Sequence, residues 1–121
     1  MRYLSMIRID EKRAQAPSEQ LMQDMGKLID ELTRSGALVS TAGLRPTSEG
    51  VRVRLRGGKL STTDGPFTEA KEVIGGYAVL ETKTKEEAIE LTRRFLQVHG
   101  DEWDIECEVR QLDGPEFGRN A

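Results

Sequence analysis

The stretch from Asp64 to Glu81, reading DGPFTEAKEVIGGYAVLE, restricts the possible folds of this chain more than any other. Asp64-Gly65-Pro66 is strong turn chemistry, because glycine tolerates positive φ, proline fixes its own, and an aspartate can bond backbone amides just ahead of it. Phe67 sets one apolar anchor in a segment otherwise rich in charge, with Glu69, Lys71 and Glu72 following it. Val73 to Glu81 then reads as a buried strand. Its adjacent Gly75 and Gly76 mark a bulge or the close approach of another backbone or a ligand. An ordered, charged loop must therefore enter a central strand.

The flanking segments supply elements of matching length. Tyr3, Ser5, Ile7 and Ile9 alternate with Leu4, Met6 and Arg8, and both sets are partly apolar, so residues 2–9 read as a central strand covered on both faces. After a polar connection from Asp10 to Pro17, Ser18 is the expected N-cap of a helix carrying Leu21, Met22, Met25, Leu28, Ile29 and Leu32 on its apolar stripe, with Gly36 at its end. Met22 and Met25 read as core rather than as a ligand-facing pair. Ala37 to Leu44 forms a second strand, stopped by Arg45-Pro46.

Val51, Val53 and Leu55 alternate with Arg52, Arg54 and Arg56, the pattern of a half-buried strand with one basic face. Gly57-Gly58 is the signal of a two-residue hairpin turn. It predicts the register Arg56 with Lys59, Leu55 with Leu60, Arg54 with Ser61, Val53 with Thr62 and Arg52 with Thr63. That register delivers the chain to Asp64 and brings the basic face close to the acidic loop. Two readings of the arginines stand: a solvated edge that discourages pairing with other chains, or an anion-recognising wall of guanidinium forks.

Thr84 and Glu87 fit a capping box for a second helix, whose stripe is Ala88, Leu91, Thr92, Phe95 and Leu96 and whose end is Gly100. Trp103, Ile105, Cys107 and Val109 alternate with charged residues as a last half-buried strand. The order β-α-β-β-β-β-α-β, less the extra hairpin, is the ferredoxin-like α+β plan: an antiparallel sheet with two helices on one face and the other face free for a partner. One domain over residues 1–112 is expected, with 113–121 as a tail whose Asp113-Gly114-Pro115 repeats the turn chemistry by chance.

Composition limits the function classes. The chain has 121 residues, 36% hydrophobic, 32% charged and only 5% aromatic. So polar a chain can complete its core by self-association. A net charge of −3 argues against direct nucleic-acid binding. No apolar run is long enough for a membrane span, and the charged first ten residues are not a signal peptide, so a cytoplasmic protein is expected. One cysteine and one histidine leave no intramolecular disulfide and little for a metal site, and no cofactor motif is present. Cys107 falls on the apolar face of its strand, and His99 in the last turn of a helix, where the dipole favours a cation.

Asp64 is the leading candidate for a functional carboxylate. Glu69, Lys71 and Glu72 follow within short reach, and two carboxylates with a lysine between them can form an acid–base pair. The competing account is a loop held by its own ion pairs. Tyr77 offers a hydroxyl on an apolar body, and Arg52 or Arg54 a counter-charge for an anion.

DGPFTEAKE followed by a Gly-Gly-Tyr strand resembles the DGPF branch of the YCII-related proteins. The opening Met1-Arg2-Tyr3-Leu4 and closing Glu108-Val109-Arg110 are compatible with it, so the resemblance covers nearly the whole chain. It implies a ferredoxin-like fold paired into a dimeric α/β barrel, a homodimer with a cleft between or beside the protomers, and no known reaction. Three expectations follow from the resemblance and the residues together. The first is a small polar or anionic ligand bound in the cleft by Asp64, Phe67, Glu69, Lys71, Tyr77, Arg52 and Arg54. The second is a regulatory partnership with an extracytoplasmic-function sigma factor, since DGPF proteins resemble partners of such factors. The third is a cleft enzyme using Asp64 in proton transfer. Relatives are associated with a His–Asp pair, to which His99 has no residue-by-residue match.

Overall fold

The computed structural model describes residues 1–13 and 15–117. Six strands and two helices follow the expected order: β1 (Arg2–Ile9), α1 (Glu19–Arg34), β2 (Leu38–Gly43), β3 (Val51–Arg56), β4 (Lys59–Asp64), β5 (Val73–Glu81), α2 (Lys85–His99) and β6 (Glu106–Gln111). The main sheet is antiparallel with strand order β2-β5-β1-β6, and β3 and β4 form a separate two-stranded ribbon. This is an α+β, ferredoxin-like fold with a ribbon inserted between two of its strands.

The register explains which side of the sheet is covered. Tyr3 pairs with Leu80, and Leu80 with Leu38, so all three side chains share one face. Leu28 and Leu32 of α1 and Ala88 of α2 pack on that face, joining them in one core cluster. Alternation then turns Leu4, Met6, Tyr77 and Val79 to the opposite face, where they are only half-buried. The bulge expected at the paired glycines is present: Ile7 faces Gly76 while Arg8 faces Ile74.

Local chemistry sets the helix ends. Ser18 Oγ accepts from the Leu21 amide at 3.0 Å, and the Ser18 hydroxyl in turn donates to Glu102 at 2.6 Å, tying the start of α1 to the connection after α2. Thr84 Oγ1 accepts from the Glu87 amide at 3.2 Å. The return half of the capping box is displaced by one residue, for Glu87 accepts from the amide of Lys83 instead of Thr84. Met25 packs against the core, but Met22 is 62% exposed, so the expectation that both methionines are core fails at Met22. It lies at the exposed edge of the stripe.

The last strand begins later than its alternation suggests. Trp103 to Ile105 belong to the connection, and pairing with β1 starts at Arg8 opposite Glu106. Cys107 faces inward as expected, and burial pushes its thiol pKa up, with a Ser5 hydrogen bond opposing. A thiol so disposed is a small core residue, not a nucleophile.

The ribbon follows its predicted register at all five pairs, with Gly57 and Gly58 at φ 54° and 76°. Positive φ at both turn residues is the twist-matched hairpin geometry that glycine allows. Its burial differs from expectation. Val51, Val53, Leu55 and Leu60 are 53% to 74% exposed, so the strand predicted as half-buried has no cover on its apolar face within one chain. The ribbon is a sheet of its own, paired with none of the main-sheet strands.

Candidate functional site

The structure divides the predicted site residues into three groups. Arg52, Phe67 and Glu69 come together: the Arg52 guanidinium donates to the Glu69 carboxylate and lies over the Phe67 ring, 3.8 Å from its centroid. An arginine stacked on a ring while paired to a carboxylate is held in one orientation. The Arg52 hydrogen bond holds the Glu69 carboxyl below the usual carboxylate range, and Arg54 adds a smaller attraction. Arg52 is thereby engaged inside the loop. Arg54 shares its face of the ribbon and makes no ion pair among the described residues.

Asp64 lies elsewhere. It ends β4 opposite Val51, and the pleat places it on the face of Val51, Val53, Leu55 and Leu60, away from the arginines. Its exposed carboxylate has no hydrogen-bond or ion-pair partner among the described residues, so the local amides it was expected to accept from are bonded otherwise. The Gly65 amide donates to the Gly50 carbonyl at 2.9 Å, and the Phe67 amide to Thr47 Oγ1 at 3.3 Å. Lys71 is exposed and unpaired among the described residues. Tyr77 makes the third group, on the open face of the main sheet between Met6 and Ala42.

The two glutamates of the loop have different partners. Glu72 reaches Arg8 at 3.4 Å, and Arg8 also meets Glu106 at 3.2 Å and Glu108 at 3.9 Å. Glu69 and Glu72 therefore bind different arginines, and no acid–base pair with Lys71 between them is assembled. These exposed pairs orient the loop more than they stabilise it.

Glu11 and Thr47 hold the loop in place and escaped the sequence reading. Glu11 accepts from the Thr47 amide at 2.8 Å and from the Thr47 hydroxyl, whose oxygen also receives the Phe67 amide. No local pattern announces a bond across 36 residues. The only hint was Thr47 after Pro46 in a turn. The Thr47 hydroxyl and then its amide lower the Glu11 carboxyl pKa. A carboxyl depressed on folding stabilises the protein above its unfolded pKa, and that contribution disappears as pH falls through the folded value. Glu11→Gln is therefore expected to cost no more than about 1 kcal/mol at neutral pH, because the site is partly solvated. It should also flatten the acid limb of stability measured by urea unfolding across the carboxylate range.

His99 is in the last turn of α2 as expected, its Nδ1 2.9 Å from the Phe95 carbonyl. Among the described residues no helix is long and apolar enough to cross a membrane, and no cluster of three metal-ligating side chains occurs.

Two comparisons with known proteins bear on the family of this chain. A Rhizobium meliloti protein described only as uncharacterized is 29% identical over 75 residues, which is 62% of this chain and 60% of that protein. The aligned part thus spans about three fifths of the relative's length. The family model of the YCII-related domain matches residues 1–101, from β1 through the whole of α2, and on that match the chain belongs to the YCII-related domain family.

Proposed function

We propose that the chain acts as a homodimer of the DGPF branch and binds a small polar or anionic molecule beside the Asp64–Glu72 loop. The observation that carries this reading is the ribbon's bare apolar face ending on an unpartnered Asp64. A two-stranded ribbon is marginal in water unless something packs on it, and a second copy supplies the same apolar face in return. Covering that face would enclose Asp64 among apolar side chains. A carboxylate so placed requires a donor. Polar groups of a ligand can provide it, with Arg54 available at the rim for an anionic substituent.

Native mass spectrometry of gently purified protein tests the reading directly. A dimer with a reproducible added mass is expected; a monomer would remove the basis of the site. Asp64→Asn should lose the added mass while the melting temperature falls by no more than a few degrees, as expected for an exposed residue with no partner in its own chain. A large loss of stability with the mass retained would make Asp64 a structural residue.

Two further readings rank behind it. Partnership with a sigma factor would use the acidic faces at Glu106–Glu108 and Glu69–Glu72, but their glutamates already face Arg8 and Arg52. Proton transfer through Asp64 would need a second ionisable group from the ligand or the other copy, since the described residues place none against it.

A further inference from the structure

An open cleft of about 480 Å³ lies on the helix-covered side of the sheet, at the end where β1, α1 and the connection after α2 converge. Its volume falls within the range that holds drug-sized ligands. The walls are almost wholly apolar, including Ile9, Met22, Ile29 and Phe95. Two polar side chains interrupt them. His99 is the one titratable lining residue, and with Nδ1 engaged at Phe95 its Nε2 has no partner among the described residues. Trp103 also lines the cleft, and its Nε1, shielded from solvent, has no acceptor among the described residues. Gly26 is a third signal. It sits inside α1, where glycine is a poor helix former, yet a Cβ there would meet nothing within 4 Å. Crowding does not explain it, and the open space beside it belongs to the cleft.

We propose that this cleft is a binding site for an apolar small molecule ending in a carboxyl group. The apolar body fills the space between helices and sheet. The carboxyl group suits what the walls lack, since as an anion it accepts from an indole or imidazolium N–H, and protonated it donates to a neutral Nε2. The cleft shares no residue with the Asp64–Glu72 loop, so this site stands or falls independently of the ribbon reading.

The chain's single tryptophan reports on the site. Decanoate titrated into the full chain is expected to change Trp103 emission saturably, with one molecule bound per chain by calorimetry. Gly26→Leu should abolish that binding while keeping or raising the melting temperature, because leucine favours the helix and fills the mouth. His99→Asn retains a group near the Nδ1 position and should weaken decanoate by about tenfold, the scale of one charge-assisted bond. Absence of saturable binding by the unaltered chain would overturn the proposal. So would full binding by Gly26→Leu, an unchanged affinity in His99→Asn, or the finding that Gly26→Leu abolishes self-association, which would make a second copy the occupant.

Discussion

Tyr3→Ala is expected to destabilise the fold by about 3–5 kcal/mol, the range for removing a buried aromatic ring. Tyr3 is 2% exposed and is the largest fully buried side chain described. It sits on β1, the strand flanked by β5 and β6, so its ring has sheet neighbours on both sides and the helices above. Leu28, Leu32, Leu38, Leu80 and Ala88 complete its surroundings. These residues belong to rigid elements, and little can collapse into the space the ring leaves. A domain of this size has a total stability of about 5–15 kcal/mol, and this core is small for a chain of 121 residues. Urea unfolding followed by circular dichroism measures the loss. A change below about 1 kcal/mol would show that the layer repacks and that the helices are not fixed over the sheet.

Gly65→Ala is expected to have the next largest effect, through backbone and not through lost contacts. A Cβ at residue 65 would come within 1.7 Å of the Thr47 carbonyl oxygen and 2.7 Å of its carbon. Both atoms belong to backbone in the turn that Glu11 holds, so neither can move aside as a side-chain tip would. The loop must shift, releasing the Gly65 amide from the Gly50 carbonyl and the Phe67 amide from Thr47. Overpacking of this kind costs about 1–3 kcal/mol. Hydrogen exchange should show early opening at Gly65 and Phe67, with the main sheet still protected. Unchanged exchange at both amides would mean that the loop and the turn do not lie against each other.

The ribbon and the loop show where sequence reasoning succeeds. A two-glycine turn admits few geometries, so the pairing of Arg52 with Thr63 through Arg56 with Lys59 followed from Gly57-Gly58 alone. The caps Ser18 and Thr84 were legible for a similar reason, because a cap's side-chain oxygen reaches only the amides two or three residues on. Alternation was over-read at Trp103 and Ile105. Period two shows that a segment can be a strand, but a ladder also needs a partner strand opposite.

Interactions within about four residues, and periodicities within one element, were thus determined by the sequence itself: the strands, the helices, the caps, the hairpin register and the α+β order. Tertiary structure decided the rest of the candidate site. It joined Glu11 to Thr47 and Arg52 to Glu69, and left the ribbon's valines and leucines uncovered. The cleft containing Gly26, His99 and Trp103 is of the same kind. Each depends on where separate elements come to rest against one another, and that position is set by the summed packing of the core, which no local stretch of residues contains.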